Sequence, residues 1–353
     1  MGLGFNIGNN LDAWGGETAW RNPAIERGFI TALKKYGYKT IRLPVTWAQN
    51  LGPAPDYAIK ASWLNRVKEI VDWCVEEGLY IIINIHHDGH GGPRAWIQNT
   101  KNPESAAAQL AKVWTQIAGC FADYSDNLIF EAMNEIGFDK IWNRNGIQIG
   151  QSAKKAKAYG ILNTLNQTFV DTIRASGGKN PQRYLLIPGY WTDIKNTCDP
   201  LYIMPKDKAD DKLILSVHYY TPWNFAGKRV FRPGSLTWGT QADHDQLNSL
   251  FNMMKENFID KGIPVIMGEY NVLKNRPLQS RINWLLAVTQ KSLELGMCPI
   301  IWDNGYSEMR NCFHNMGEIR RRSPYTMSDA LTQVWQALGG HGARHALFFP
   351  FIA

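Results

Sequence analysis

Short apolar runs alternate along the chain with longer segments in which apolar residues recur every three or four positions. The runs predict eight β-strands, and the longer segments predict helices between them. The clearest helical pattern covers 62–78 and ends at Gly78, and the same spacing recurs in 104–124, 152–176, 243–259 and 280–295. The predicted strands are 3–8, 40–45, 79–86, 128–135, 184–190, 213–220, 264–270 and 298–305.

Eight strands that are each followed by a helix or crossover predict an α/β fold, a single (β/α)8 TIM barrel. The strands are almost continuously apolar, as expected where both faces of a parallel sheet are buried. A doubly wound sheet is the alternative, but GFNIGNN at 4–10 does not match its phosphate-binding G-x-G-x-x-G pattern. We assign residues 1–340 to the barrel and 341–353 to an apolar C-terminal tail of unknown role.

Composition narrows the possible partners. The 353-residue chain is 44% apolar, so it can bury a large core. Its net charge of +7 raises the question of nucleic acid, but the basic residues are scattered. We interpret the one dense run, Arg320 to Arg322 beside Glu318, as a solvated surface loop. No apolar stretch is long enough to span a membrane, so we expect neither nucleic acid nor a membrane as a partner.

The five cysteines contain no C-x-x-C pair, which excludes a zinc ribbon or a thioredoxin motif. An odd and sparse set does not predict a disulfide framework. A single bridge between Cys298 and Cys312 stays open at this point.

Polar residues cluster at the carboxyl ends of the predicted strands, which converge on one rim of a barrel. Two of them, Glu135 and Glu269, are isolated carboxylates that are costly to bury without a purpose or a partner. Two facing carboxylates suit cleavage of a glycosidic bond, because one donates a proton while the other attacks the anomeric carbon or activates water. The alternative is a structural ion pairing of both acids with Arg42. The clustered residues are Arg42, His86, Glu135, His218, Glu269 and Asp303.

Glu131 is a rival carboxylate on the fourth predicted strand. It precedes Glu135 by four residues on the same face of an ideal strand, which separates the two by roughly 13 Å. That distance is too long for the carboxylate pair of a retaining glycosidase, so we interpret Glu131 as structural.

Other residues beside the two acids fit a sugar site. Asn134 can hydrogen-bond a sugar hydroxyl, and His218 and Tyr220, two residues apart, can both point into the barrel mouth. The Tyr220 hydroxyl and the charge of Arg42 would both hold Glu269 in its ionised form.

Tryptophans provide flat surfaces for pyranose rings, and 14 are present. Trp302, at the end of the last predicted strand, is the predicted floor of the site. Trp223 and Trp238 are predicted platforms along a cleft, His87 is predicted to flank it, and Asn9 and Trp20 are predicted to contact a distal sugar. Core packing is at least as good an interpretation for Trp47, Trp96 and Trp142.

The histidine-rich stretch IINIHHDGH at 82–90 raises a second hypothesis, a metal-dependent hydrolase with His86, His87 and Asp88 as ligands. Adjacent His86 and His87 point to opposite sides of a strand, which disfavours it, whereas Asp88 shares a face with His86. We predict no metal and no other cofactor. A non-catalytic carbohydrate-binding barrel is the third hypothesis, and the presence of both acids disfavours it.

Seven motifs together resemble the family-5 glycoside hydrolases, within them the bacterial endo-β-1,4-glucanases and xyloglucanases. They occur in the family's order over residues 2 to 305: GFNIGNNLDAW with ETAWRNP, TIRLPVTW, INIHHD, FEAMNE, SVHYYTPWNF, MGEYN and WDNG. Three positions depart from the usual pattern, with NIGNN for NLGNT, MNEI for MNEP, and Arg21 in AWRNP where AWGNP is usual.

The resemblance implies a (β/α)8 barrel that hydrolyses a β-glucan polysaccharide with retention, through a covalent glycosyl-enzyme intermediate. Glu135 then falls on the acid/base and Glu269 on the nucleophile. The family's other signature positions are Arg42, His86, Asn134, His218, Tyr220 and Trp302. We expect a monomer that acts as a secreted, periplasmic or cell-surface bacterial enzyme. A signal peptide is absent from this sequence, because MGLGFNIGNN lacks a charged start and an apolar core.

Overall fold

The computed structural model describes residues 1–89, 92–99, 101–146, 150–228, 236–305 and 315–339. Eight parallel strands close into a barrel in sequence order, and β1 pairs with β8. The predicted TIM barrel is therefore confirmed. The strands are β1 (Gly4–Ile7), β2 (Thr40–Leu43), β3 (Tyr80–Asn84), β4 (Leu128–Glu131), β5 (Leu185–Pro188), β6 (Leu213–Tyr219), β7 (Val265–Tyr270) and β8 (Cys298–Asp303).

Helices follow the strands and cover the outside of the barrel. Their ends obey local rules: Asn102 accepts a hydrogen bond from Ser105 N and precedes Pro103, and Thr240 and Asp243 form a capping box. The helices are α1 (Arg27–Lys35), α2 (Ala61–Glu76), α3 (Pro103–Cys120), α4 (Ser152–Arg174), α5 (Ile194–Thr197), α6 (Trp223–Ala226), α7 (Gln241–Asn257), α8 (Leu278–Glu294) and α9 (Asp329–Ala337). None of the helices in the described ranges is long and apolar enough to cross a membrane.

The barrel interior has an apolar floor and a polar tier above it. The floor is one buried cluster that includes Ile82, Ile129, Leu186, Ile214, Ile266, Cys298 and Ile300. Two residues further along three of these strands, on the same face, the chain places Asn84, Glu131 and Ser216. These three residues, with Asn6 and Arg42, form the polar tier, and all five are fully buried.

A bulge at Gly268 turns Glu269 into the barrel. Ser216 pairs with Ile266 and Val217 with Met267, but His218 pairs with Glu269, so Gly268 is the extra residue. Without the bulge, Glu269 would take the outward face that Met267 occupies, because side chains alternate along a strand. The inward direction of this carboxylate therefore depends on one local irregularity.

Gly268→Ala is expected to impair catalysis as well as stability. A Cβ at this position would lie 2.9 Å from Ser216 Oγ and 3.1 Å from His218 Nε2, both buried. Forcing these groups apart should lower the free energy of unfolding by about 1–3 kcal/mol and move Glu269 away from its partners. Thermal unfolding and kcat would be measured together. Gly160→Ala, on the exposed face of α4 with open space around it, is the matched control and should be neutral or stabilising. An unchanged kcat in Gly268→Ala would contradict the role of the bulge.

Seven of the eight strands end before their predicted limits, by one to four residues. Strand β3 ends at Asn84 and β4 at Glu131, so His86 and Glu135 lie in the loops that follow. The chain stays close to its neighbours there, since His86 N donates to Val45 O at 2.8 Å and Ile136 forms a bridge with Tyr190. Both side chains therefore sit above the polar tier rather than in it.

The interpretation of the Arg320 to Arg322 run as a solvated loop is wrong for Arg321 and for Glu318. Both side chains are buried. Arg321 forms an ion pair with Asp303, with 3.1 Å between Nη2 and Oδ1, and Glu318 pairs with Arg281 of α8. The run ties the segment after β8 to the end of that strand.

Cys298 is a buried free thiol. Its suggested bridge partner Cys312, the tail 341–353 and His90 lie outside the described residues.

Candidate active site

Arg42 is the centre of a buried hydrogen-bond network beneath the barrel mouth. Its Nη1 lies 2.7 Å from Glu269 Oε1, its Nε lies 2.7 Å from Glu131 Oε2, and its Nη2 donates to Asn134 Oδ1 at 2.8 Å. Burial alone would lower the pKa of Arg42, but the two carboxylates outweigh it and raise that pKa. The guanidinium is therefore a permanent positive charge next to Glu269.

Glu269 is held on both of its oxygens. Oε1 accepts from Arg42, and Oε2 accepts from the Tyr220 hydroxyl at 3.0 Å. Burial raises the pKa of Glu269 above its ordinary value, and the nearby Glu135 adds to that rise, whereas electrostatic interactions with His218 and Arg42 oppose it. Burial and the negative charge of Glu269 raise the pKa of Tyr220 far above its ordinary value, so its hydroxyl remains a donor. These two contacts fix the orientation of the carboxylate.

Glu135 faces Glu269 in a different environment. Its side chain is 32% exposed, against 7% for that of Glu269. His218 lies between the acids, with Nδ1 2.8 Å from Glu135 Oε1 and 3.6 Å from Glu269 Oε2. One oxygen of each acid lies within 4.8 Å of the other. That spacing suits retaining glycosidases, whose carboxyl groups are roughly 5–5.5 Å apart, and not inverting ones at roughly 6.5–9.5 Å.

The tautomer of His86 is defined by Asn84, whose side-chain amide is oriented by hydrogen bonds to both its oxygen and its nitrogen. Asn84 Oδ1 accepts from Val45 N at 3.1 Å, and Nδ2 donates to Glu131 Oε2 at 3.0 Å. Nδ2 also contacts His86 Nδ1 at 3.1 Å, so Nδ1 accepts and the proton of neutral His86 resides on Nε2. The imidazole of His86 stacks on Trp302, with 5.7 Å between ring centroids and 6° between planes.

This tautomer disfavours a metal site at the histidine pair. One ligand atom each of Asp12, His86 and His87 lies within 4.8 Å of the others. However, His86 Nδ1 is engaged by Asn84 and Nε2 carries the proton, so neither nitrogen offers a free lone pair. Asp88, the third ligand of the predicted metal set, accepts instead from Trp47 N at 2.9 Å and Trp96 Nε1 at 3.0 Å.

Some of the aromatic residues predicted to bind sugar lie at the rim of the barrel, and others lie in the core. Trp223 is 57% exposed and packs edge-on against Tyr220, with 6.3 Å between ring centroids. Trp20 lies 5.5 Å from His87, whose Nε2 is 3.5 Å from Asp12 Oδ2. Asn9 is half-buried with a left-handed φ of 59°, and its carbonyl oxygen accepts from Asn22 Nδ2 at 2.9 Å.

Trp238 is not a platform along the cleft, and this corrects the prediction. Its side chain is 3% exposed and packs on His244 of α7 at 4.7 Å, because the segment folds back onto that helix. Trp47 and Trp142 are also buried, in agreement with their interpretation as core residues.

A scan for relatives decides the family. The model of the family described as "Cellulase (glycosyl hydrolase family 5)" matches residues 6–308. The chain belongs to glycosyl hydrolase family 5.

Members of family 5 resemble the chain over most of its length. Endoglucanase A of Paenibacillus barcinonensis is 37% identical over 338 residues, which cover 87% of this chain and 81% of that protein. A family-5 xyloglucanase structure from Paenibacillus pabuli superposes with a TM-score of 0.83 at 35% identity, covering 95% of this chain and 98% of the other. A broad-specificity endoglucanase from Bacteroides salanitronis gives a TM-score of 0.84 at 36% identity, covering 94% and 91%.

These findings confirm the predicted resemblance and the class of enzyme. The family-5 chain is a glycoside hydrolase, and its relatives support the predicted endo-β-1,4-glucanase activity in a retaining family. The metal-dependent hydrolase and the non-catalytic barrel are not favoured.

Trp191 is a rim aromatic that the sequence predictions missed. It follows β5, and its N–H donates to Ile136 O at 2.7 Å, directly after Glu135. Its indole Nε1 donates to Asp139 at 2.9 Å, and the Arg144 guanidinium lies 4.6 Å from its ring. The signal was available, because this tryptophan directly follows the predicted strand 184–190, at the rim where the other candidates were found.

Proposed function

We propose that the protein cleaves internal β-1,4 bonds of glucan polysaccharides, with Glu269 as the nucleophile and Glu135 as the acid/base. The observation that carries the proposal is the pair of carboxylates across His218. They are close enough for a retaining reaction, and they differ in exposure and in hydrogen bonding. Glu269 has the fixed cationic partner and the phenol donor that an ionised nucleophile needs.

In the first step, a Glu269 oxygen forms a bond with the anomeric carbon while the bond from that carbon to the leaving glucan oxygen breaks. The proton of Glu135 goes to that oxygen, so the departing chain leaves as a neutral alcohol. Arg42 and Tyr220 hold Glu269 during the attack.

In the second step, water attacks the anomeric carbon from the face that the first chain left. Glu135, now ionised, takes a proton from that water, and Glu269 departs as a carboxylate. Two inversions at the same carbon give a product of retained β-configuration. The exposure of Glu135 suits this exchange with water, whereas the buried Glu269 is protected from it.

The rim aromatics support an extended substrate that crosses the barrel mouth. Trp20 and His87 are in contact and belong to the loops that follow β1 and β3, whereas Trp191 belongs to the loop that follows β5. In a closed barrel of eight strands β1 and β5 are on opposite sides, so a polymer can contact both sets and pass Trp302 between them. Binding on both sides of the reacting bond favours cleavage within a chain.

The size of the substrate bears on where the protein acts. A polysaccharide does not enter a bacterial cell intact, so we propose that the protein works outside the cytoplasm. The predicted monomeric state also stays a prediction.

The stereochemical course tests the proposal most directly. Proton NMR during early hydrolysis of cello-oligosaccharides should show β-anomers first, with α-anomers rising only by mutarotation. A panel of carboxymethyl cellulose, mixed-linkage glucan, xyloglucan and glucomannan would rank the substrates, and a rapid fall in viscosity per bond cleaved would identify internal cleavage. α-Anomers as first products would overturn the mechanism, and a constant viscosity during sugar release would overturn internal cleavage.

A further inference from the structure

Glu131 is a buried anion that has no role in the two steps above. It belongs to the polar tier and is fully buried below the two reacting acids. Its Oε2 accepts from Arg42 Nε at 2.7 Å and from Asn84 Nδ2 at 3.0 Å, and its Oε1 accepts from Ser216 Oγ at 2.9 Å. Donors from three different strands therefore satisfy both oxygens of this carboxylate.

Arg42 divides its charge between two carboxylates. Its Nε serves Glu131 and its Nη1 serves Glu269, both at 2.7 Å, and its side chain has no exposed surface. One cation thus balances two carboxylates in a buried interior, where charges are little screened by bulk solvent. The more strongly Arg42 is engaged by Glu131, the less of its field stabilises the charge on Glu269.

The other charged and titratable groups facing Glu269 come from different parts of the barrel. His218 and Tyr220 belong to the sixth strand and its end, and Glu135 to the loop after β4. Arg42 contacts both Glu131 and Glu269 directly, at 2.7 Å from each carboxylate, so it is the link through which Glu131 acts on Glu269.

We infer that Glu131 is a positioning residue that competes with Glu269 for Arg42 and so keeps the nucleophile reactive. A carboxylate that receives the whole charge of a buried guanidinium is stabilised in its free form and attacks carbon less readily. By taking part of that charge, Glu131 leaves Glu269 ionised and held in place, but not overstabilised. The inference rests on the proposed role of Glu269 as nucleophile.

Glu131 is also connected to His86, through the side chain of Asn84. Asn84 Nδ2 donates to both Glu131 Oε2 and His86 Nδ1, so Glu131 helps to orient the amide that fixes the His86 tautomer. The nucleophile and the imidazole stacked on Trp302 are therefore supported by one buried acid.

Glu131→Gln removes the charge while keeping the size of the side chain. Its amide oxygen can still accept from Arg42, so Arg42 remains beside Glu269 with its charge undivided. The acid limb of the pH profile of kcat/KM, which reports ionisation of Glu269, should move down by about one pH unit. We expect kcat to fall by at least ~10-fold while KM changes by less than ~3-fold.

Ser216→Ala is a milder change, and we expect it to shift the acid limb of the pH profile in the opposite direction. It removes the hydroxyl donor from Glu131, which concentrates that charge on Arg42 and draws Arg42 away from Glu269. The acid limb should then move up, by about 0.3 pH unit. A packing defect alone would not shift the acid limb down in Glu131→Gln and up in Ser216→Ala.

Circular dichroism and thermal unfolding would establish that both variants are folded. If Glu131→Gln is not recovered folded, the direction of the shift in Ser216→Ala decides alone. An unmoved or upward limb in Glu131→Gln, or an unmoved or downward limb in Ser216→Ala, overturns the inference. Neither result touches the assignment of the nucleophile, which depends on the separate loss of turnover in Glu269→Gln.

Discussion

Glu269→Gln is expected to lose turnover of soluble β-glucan by ~10⁴-fold or more while it still binds the polymer. The amide keeps the shape of the side chain and can still accept from Arg42, but it cannot form the glycosyl ester. Release of reducing sugar and affinity electrophoresis in β-glucan gels would separate turnover from binding. Glu256→Gln, an exposed glutamate on α7, is the matched control and should behave as the wild type.

Glu269→Gly extends the same test to chemistry. The smaller side chain leaves space for azide, which should attack the anomeric carbon in place of the carboxylate and give a glycosyl azide of inverted, α-configuration. Turnover in Glu269→Gln close to that of the wild type, or a β-azide from Glu269→Gly, would refute the assignment of the nucleophile.

Glu135→Ala should show the second largest effect, and the effect should depend on the leaving group. Polysaccharide cleavage is expected to fall by ~10²–10⁴-fold, because a sugar hydroxyl leaves poorly without a proton donor. A 2,4-dinitrophenyl cellobioside needs no such donor, so its first step should persist as a burst, followed by slow hydrolysis of the intermediate. Stopped-flow absorbance would measure the burst.

Azide provides the control for Glu135→Ala. It needs no general base, so it should accelerate the slow second step and give a β-glycosyl azide. A loss of equal size on the polysaccharide and on the activated glycoside, with no burst, would contradict the acid/base role.

The strands and the class of fold were predictable because their signals are local. An apolar run of six to eight residues with a helical segment after it indicates burial on both faces, and each predicted run contains a strand of the barrel. The ends were less predictable, since pairing stops at Asn84 and Glu131 while the apolar pattern continues. A pattern of hydrophobicity does not distinguish a paired residue from a buried loop residue.

The site was predictable where the position alone determines the neighbours, and not where a tertiary partner does. Arg42, His218 and Tyr220 were expected beside Glu269, because strand ends of a barrel converge. Burial of Arg321 required Asp303 as its partner, and burial of Trp238 required the surface of α7. These depend on loops whose course the sequence pattern does not specify.

The direction of Glu269 was predicted for an incomplete reason. Strict alternation from Ile266, which faces the floor, would bring Gly268 inward and Glu269 outward. Glu269 points into the barrel only because Gly268, the residue before it, forms the bulge that shifts the register.

The apolar floor has a consequence for the supply of protons. Ile82, Ile129, Ile214 and their neighbours fill the described barrel beneath the polar tier, so we expect water to approach the two acids from the barrel mouth. A bound glucan occupies that route. The proton that Glu135 gives to the departing chain is then replaced by a proton from the water molecule that takes the place of that chain.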